Sequence, residues 1–403
     1  MRNKEKNISN ENKMFQKVTV TFLTFFIFLV FSCDFTFKPK TKEEETFTWD
    51  TAKPLKDIYT GSFLMGNIVS PNDLTNVRFN ILKRHYNTVT AENHMKPSEI
   101  APSSKPASDD WTSAYRWYDK EKEKEVRADG IVKAVNDAGL KMHGHTLVWH
   151  QQTPQWLNAD QATALANLKK YVTDVTKHFK GKVISWDVVN EAMKDGLSIS
   201  DAVDWKKCLR PGGWNTIGPE YIEEAFLAAR KADPDAILFY NDYNLNSNTG
   251  NGKPLAVFNM VQDINNRYRD VLGGLLIDGI GMQSHHHLNT TPESVEASIV
   301  LFSSLGVDIT ISELDIMAAK ATINNGQPNG LTNPWDDNAA QLQAEKYAAM
   351  FRIFKKHEDK ISRVTFWGLD DRSSWRASSY PTLLDKDYNL KPAFYAVANP
   401  DKF

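Results

Sequence analysis

From about Ile58 onward, two rhythms of polar and apolar residues take turns along the chain. One is a short β-rich run: SFLMGNIV (62–69), NTVTAEN (87–93), LKMHGHTLVW (140–149), VISWDVVNE (183–191), AILFYNDYN (236–244), IDGIGMQSH (277–285), VDITISELD (307–315) and RVTFWGLDD (363–371). The other sets apolar residues three and four apart, as in LTNVRFNILKRHY (74–86), ATALANLKKYVTDVTKHF (162–179), YIEEAFLAARKA (221–232) and LQAEKYAAMFRIFKKH (342–357). That spacing is one face of a helix. Strands alternating with helices predict βαβ units and a parallel sheet. Eight such units predict a single-domain α/β fold, the (β/α)8 TIM barrel. A doubly wound open sheet is the competitor, weakened because no Gly-rich phosphate-binding turn follows any strand. The Pro- and Asn-rich stretches 97–110, 244–254 and 321–338 read as loops, and loops after strands lie on the catalytic face of a barrel.

A parallel barrel asks for apolar strand interiors and leaves the C-terminal strand ends free for chemistry. Polar and aromatic groups collect at those ends. The second run closes on Glu92 and Asn93, with Lys96 next; the third carries His145, Trp149 and His150; the fourth closes on Asn190 and Glu191. Asn241, Asp242, Tyr243 and Asn244 end the fifth, Gln283, Ser284 and His285 the sixth, Glu313 and Asp315 the seventh, and Trp367 the eighth, with Trp375 in the following loop. Seven strands thereby send functional groups to one mouth. Two of these groups, Glu191 and Glu313, are carboxylates on strands that face each other across a barrel. Cleavage of a glycosidic bond needs such a pair, one protonated to release the leaving oxygen and one ionised. A neighbouring negative charge raises the pKa of the acid, so one pocket can hold both states. Spacing along the chain leaves retention and inversion both open. Asn190 is a candidate hydrogen-bond partner for the sugar 2-hydroxyl.

Composition adds limits. The 403 residues carry 48 Lys+Arg against 50 Asp+Glu, with 41% hydrophobic and 24% charged residues. This excludes a disordered, collagenous or polytopic membrane chain, and the near-neutral charge argues against a nucleic-acid partner. Eleven Trp suit either an aromatic core or a site that stacks sugar rings. Two cysteines, Cys33 and Cys208, are too few for a disulfide scaffold or a Cys-based zinc site. The run His285–His286–His287 invites a metal reading, but alternation along a strand prevents all three from meeting one ion; no metal and no cofactor are expected. Asp242 reads as support for its strand end rather than as a third catalytic carboxylate.

At the N-terminus, Arg2, Lys4, Lys6, Lys13 and Lys17 precede an apolar run from Val18 to Phe31 that ends at Ser32 and Cys33. The basic-then-apolar pattern is secretory, and the run is short of the ~20 residues a spanning helix needs. It resembles a bacterial lipoprotein signal over 1–32, although Phe31 stands where a small residue is usual; an uncut signal anchor is the alternative. Cys33 would then carry lipid, residues 33–50 would form a flexible tether, and 51–403 the barrel. Export to the bacterial outer membrane or cell surface, or otherwise to the periplasm, is the expectation.

The segments AENHMKP, GHTLVWH, WDVVNE, NDYN, DGIGMQSH, TISELD, TFWGLDDRSSW and LLDKDYNLKPAF, in this order, resemble glycoside hydrolase family 10, the endo-β-1,4-xylanases. The resemblance runs from about Ile58 to Val397. It implies a retaining mechanism, with Glu191 as acid/base and Glu313 as nucleophile. It also implies that His285 contacts Glu313 and that Asp315 orients His285. Glu92, Asn93 and Lys96 match residues that bind xylose hydroxyls on the non-reducing side. His145, Trp149, Gln283, Trp367 and Trp375 match the walls around the scissile sugar. Tyr243 matches an aromatic on the leaving-group side, and Gln152 is a looser sugar contact. His94, His286 and His287 depart from the pattern. The implied partners are xylan and xylo-oligosaccharides, bound by a monomer. A glucan hydrolase and a non-catalytic surface glycan binder are the other readings; the second has no need of both carboxylates.

Overall fold

The computed structural model describes residues 47–117, 127–246, 250–318, 321–324, 327–331 and 335–403. The expected signal, Cys33 and the tether as far as Thr46 lie outside the described residues. Residues 47–50, expected in the tether, belong to the domain's compact unit. Trp49 packs against the core, and its carbonyl accepts from the Arg84 guanidinium at 3.2 Å and meets the His85 ring nitrogen at 2.6 Å.

Eight β-rich runs become eight strands: β1 (Leu64–Val69), β2 (Thr88–Ala91), β3 (Lys141–Trp149), β4 (Ser185–Asn190), β5 (Ile237–Asp242), β6 (Gly279–Met282), β7 (Asp308–Met317) and β8 (Ile361–Phe366). Each pairs in parallel with its sequence neighbours, and β8 pairs with both β7 and β1. That last pairing closes the sheet into the predicted (β/α)8 barrel and excludes the open sheet. Eight helices follow the strands in turn: α1 (Val77–His85), α2 (Ala128–Asp137), α3 (Gln161–Phe179), α4 (Tyr221–Ala232), α5 (Lys253–Leu272), α6 (Pro292–Ser303), α7 (Asp337–Lys356) and α8 (Pro392–Ala398). Side-chain caps start several of them: Asn76 accepts from Arg78 N on α1, Asp160 from Ala162 N on α3, and Asp336 from Ala339 N on α7. α7 buries Ala340, Ala344, Tyr347, Ala348, Phe351 and Phe354 along one stripe. Each large side chain so buried contributes about 1.5–3 kcal/mol.

Strand interiors are less apolar than expected. His143, Asp187 and Arg363 sit on the barrel floor, all under 4% exposed. Ser185 links two of them, meeting the His143 ring at 2.7 Å and accepting from Arg363 at 3.1 Å. The Asp187 carboxylate lies 3.0 Å from His143 and 2.9 Å from His145. Burial lowers the His143 pKa to about 4, so its bond to Asp187 is a hydrogen bond from a neutral ring, and such bonds offset the cost of burying polar groups.

Two further differences have local causes. The sixth run does not continue to His285 as one strand. Ser284 adopts a left-handed backbone, φ 63°, which breaks the ladder after Met282. Residues His285–His287 restart as a short strand paired with Asp315–Met317, so His285 stands opposite Asp315. The stretch 321–338, expected as loop, contains an antiparallel hairpin of Ala321–Asn324 with Gln327–Leu331 and the start of α7. In sequence an Asn-Gly pair separates its strands, the dipeptide that favours tight hairpins. Within 97–110, Pro97–Ile100 forms one helical turn.

Candidate active site

The C-terminal strand ends enclose a cleft of about 640 Å³. Its walls include Glu92, Asn93 and Lys96 after β2, His145 and Trp149 on β3, and Asn190 and Glu191 at β4. Tyr243 after β5, Gln283 and His285 after β6, Glu313 on β7, and Trp367 and Trp375 after β8 complete them. These expected site residues therefore share one cavity. Asp315 stands behind it, 1% exposed.

Glu313 is held by two donors. Asn241 Nδ2 donates to Oε1 at 2.8 Å, and the His285 ring lies 3.3 Å from Oε2. The other nitrogen of His285 lies 3.0 Å from Asp315, which also accepts from Trp375 Nε1 at 2.9 Å and from Arg376 at 3.1 Å. Burial alone would lower the His285 pKa. The Asp315 charge and the hydrogen bonds to Asp315 and Glu313 outweigh it and raise the ring to about 9. His285 is therefore an imidazolium at neutral pH and donates from both nitrogens. Burial pushes the Glu313 carboxyl up, yet the His285 hydrogen bond and the His145 and His285 charges prevail and hold it below the usual carboxylate range. Two carboxylates and two cations, His285 and Arg376, thus balance one another behind this wall.

Glu191 has different company. Trp149 Nε1 donates to Oε2 and Gln283 Nε2 to Oε1, each at 2.9 Å. Both donors are neutral. The residue has a left-handed backbone, φ 56°, where the chain leaves β4. Between the two carboxylates lies Asn190. Ser312 donates to Asn241 Oδ1 at 2.6 Å, so Asn241 must face its other neighbours with its amide nitrogen. Asn190 accordingly accepts with Oδ1 from Asn241 at 2.8 Å and from Gln283 at 3.3 Å. Its own nitrogen is left as the donor it offers the cleft. Asn241 owes its position to Gly281 on β6, where any Cβ would collide with the Asn241 amide oxygen.

On the β2 side of the cleft, Lys96 Nζ donates to Asn93 at 2.9 Å and stands 5.0 Å over the Trp149 ring. Burial lowers its pKa, partly offset by Glu313, Glu92 and Glu191 around it; burial raises Glu92, with Lys96 opposing. On the opposite side, the Tyr243 hydroxyl meets Asp195 and Arg210. Lys253 stands 3.8 Å from the Tyr243 ring and bonds Asp195 at 3.1 Å and Asp242 at 2.8 Å. Asp242, fully buried, also accepts from Tyr240 and from Tyr243 N, which makes it a brace for the end of β5.

Gln152 is corrected. Gln151, not Gln152, lines the cleft. Gln152, exposed, has φ 42° and its carbonyl accepts from Ser98 N at 2.6 Å, and it is not among the residues that line the cleft. The sequence pattern places Asn241 at the mouth without a role, and does not mark Asp195, Arg210 or Arg376. Asp195 and Arg210 lie in the long 192–220 connection, where no strand pattern marks them. The three histidines diverge: His285 faces Glu313, His286 is buried with its pKa lowered to about 3 mainly by burial, and His287 lies 3.4 Å from Thr290. Among the described residues, no three His, Cys, Asp or Glu side chains gather as metal ligands.

Apolar sugar faces stack on aromatic rings, and sugar hydroxyls need paired donors and acceptors. A (β/α)8 barrel whose mouth offers both, with two carboxylates between them, defines a carbohydrate-processing barrel. Residues 54–400 match the family described as glycosyl hydrolase family 10, and the chain belongs to that family. It is 36% identical over 363 residues to endo-1,4-beta-xylanase A of Thermotoga maritima, across 86% of this chain and 31% of that relative, so it spans about a third of that protein's length. It is 36% identical over 353 residues to a beta-1,4-xylanase of Dictyoglomus thermophilum, across 85% of this chain and 90% of the relative. A crystal structure of a family 10 xylanase containing a bacterial Ig-like domain, from termite gut, matches with a TM-score of 0.76 at 35% identity, over 88% of this chain and 79% of the other.

Proposed function

We propose that this protein hydrolyses internal β-1,4-xylosidic bonds of xylan with retention, Glu313 acting as nucleophile and Glu191 as acid/base. The observation that carries the reading is the unequal setting of two carboxylates in one cleft: Glu313 bonded to His285, which Asp315 backs, and Glu191 held by the neutral donors Trp149 and Gln283. In the first step Glu313 attacks the anomeric carbon, the bond to the leaving oxygen breaks, and Glu191 gives that oxygen its proton. In the second step water attacks the same carbon, its proton passes to Glu191, and the bond to Glu313 breaks. Asn190 offers a donor to the 2-hydroxyl, a contact that strengthens as charge develops. Trp367 and Trp375 enclose the scissile sugar, and Tyr243 takes the leaving sugar. Xylanase names among the family relatives support the substrate class.

The test is hydrolysis of purified β-1,4-xylan against carboxymethyl-cellulose by the wild type and Glu313→Ala. Xylan cleavage that the variant loses is the expected result; cleavage of cellulose alone, or of neither polymer, overturns the reading.

We also propose that the protein is exported and anchored by lipid on Cys33. The support is the basic, then apolar, then Cys sequence of residues 2–33. Mass spectrometry of the membrane-extracted protein should find an N-terminal lipidated Cys33; an unmodified Cys33 contradicts the anchor.

A further inference from the structure

Glu191 stands on strained backbone. Its φ of 56° is the left-handed region, which a side chain other than Gly occupies at a cost of about 1–3 kcal/mol unless its surroundings enforce it. Two contacts enforce it here. Glu191 N donates to Asn241 O at 2.8 Å, which continues the β4–β5 ladder. On the other side of the residue, Arg210 Nε donates to the Glu191 carbonyl at 2.9 Å.

Arg210 comes from the long connection after β4, 19 residues further along the chain. It is fixed at both ends. Its own N–H donates to Ala192 O at 2.8 Å, so the backbone of this connection pairs with the segment just past Glu191. Its Nη2 reaches Asp195 at 3.1 Å and the Tyr243 hydroxyl. Asp195 is in turn bonded to the buried Lys253. One planar fork thereby joins the Glu191 main chain to a charged cluster on the leaving-group side. A lysine ammonium, a single point charge, cannot bond the carbonyl and the cluster in the same geometry.

We infer that Arg210 is a positioning residue for Glu191: it fixes the carbonyl of the acid/base, and so the carboxyl, at the angle needed for proton transfer. The inference rests on the proposed role of Glu191. Arg210 touches neither reacting atom. Its removal should act on the two proton transfers and spare bond-breaking that needs none.

A dinitrophenyl xylobioside separates these effects. Its leaving group needs no proton and places no sugar on Tyr243, so kcat/KM reports nucleophilic attack alone. The kcat reports hydrolysis of the glycosyl-enzyme, for which Glu191 must take a proton from water. Arg210→Ala should lower kcat roughly 10- to 100-fold, the scale of a small misplacement of a catalytic group, while kcat/KM falls less than about threefold. A burst of dinitrophenol should accompany this as glycosyl-enzyme accumulates. Azide, which attacks the anomeric carbon without proton transfer, should restore kcat in Glu191→Ala, where no carboxylate repels it. Arg210→Lys should recover part of the loss. Equal falls in kcat and kcat/KM would mean a general loss of fold and overturn the inference. So would a loss confined to xylotetraose with normal turnover of the aryl substrate, which would make Arg210 only a leaving-group contact. Glu191→Ala in parallel should give the same pattern more severely; if it does not, the role assigned to Glu191 fails first.

Discussion

The two walls of the cleft hold the same functional group by opposite means. Glu313 stands inside strand β7, 5% exposed, and its chemistry is set by side chains around and behind it: His285, Asp315, Arg376, Trp375 and Asn241. Glu191 stands just beyond its strand on left-handed backbone, and a main-chain contact from a distant loop holds it. A group that must stay ionised benefits from a fixed cation. A group that must give and take a proton cannot be tied to one, because a permanent charge partner would favour one protonation state. Positioning through backbone and neutral donors avoids that conflict. The contrast predicts that deleting a charge matters on one wall and deleting a backbone clamp on the other.

The largest effect should come from Glu313, the proposed nucleophile. Glu313→Ala should lower kcat by roughly 10⁴-fold or more on xylan and on aryl xylosides alike, since no other group can form the covalent bond. Selective survival of aryl xyloside cleavage would reverse the two roles. Glu191→Ala should lower xylan turnover by roughly 10²–10⁴-fold, the usual worth of general acid–base catalysis. Steady-state kcat/KM for a dinitrophenyl xylobioside should stay within about tenfold of wild type. Equal loss on both substrates would contradict its role as acid.

Asp315→Asn probes the charge behind Glu313. Without the Asp315 carboxylate, burial dominates at His285 and its pKa falls. Glu313 then loses a charged donor, its own pKa rises, and the acid limb of kcat/KM against pH should move to higher pH. An unmoved limb would separate the pair from the nucleophile. Stability should follow the same coupling. His285 is raised from 6.5 to about 9, so its contribution is complete below pH 6.5 and is lost as the pH rises through about 9. Glu313 and Asp315 are lowered, so theirs is present above their ordinary values and is lost on acidification. Thermal denaturation should therefore show stability falling by on the order of 1–3 kcal/mol across the alkaline window. His285→Gln should flatten that fall.

The smallest effect distinguishes two neighbours. Gln152→Asn should leave xylan kinetics within about twofold, as expected for an exposed side chain away from the cleft, whereas Gln151→Ala should raise KM. The reverse order would restore Gln152 as the sugar contact.

Much of this was legible in the chain because a barrel writes its site into strand ends. Glu92, Asn190, Gln283 and Glu313 each end or follow a β-rich run, and closure of the sheet brings them together. What stayed hidden depends on long connections and on strand breaks. Arg210 and Asp195 sit in a connection with no periodicity, and only the folded backbone reveals that Arg210 meets the Glu191 carbonyl. The left-handed Ser284 could not be read from QSH, yet it sets the register that puts His285 opposite Asp315. The buried Arg363 broke the expectation of apolar strand interiors because its partners, Ser185 and Asp187, lie on a strand across the barrel.

The central claim is a covalent xylosyl-enzyme on Glu313. Incubation with a 2-deoxy-2-fluoro xylobioside bearing a dinitrophenyl leaving group, followed by proteolysis and mass spectrometry, tests it directly. One added fluoroxylobiosyl group is expected, on the peptide containing Glu313. A label on Glu191, or no label from an enzyme whose first product has inverted anomeric configuration, would contradict it.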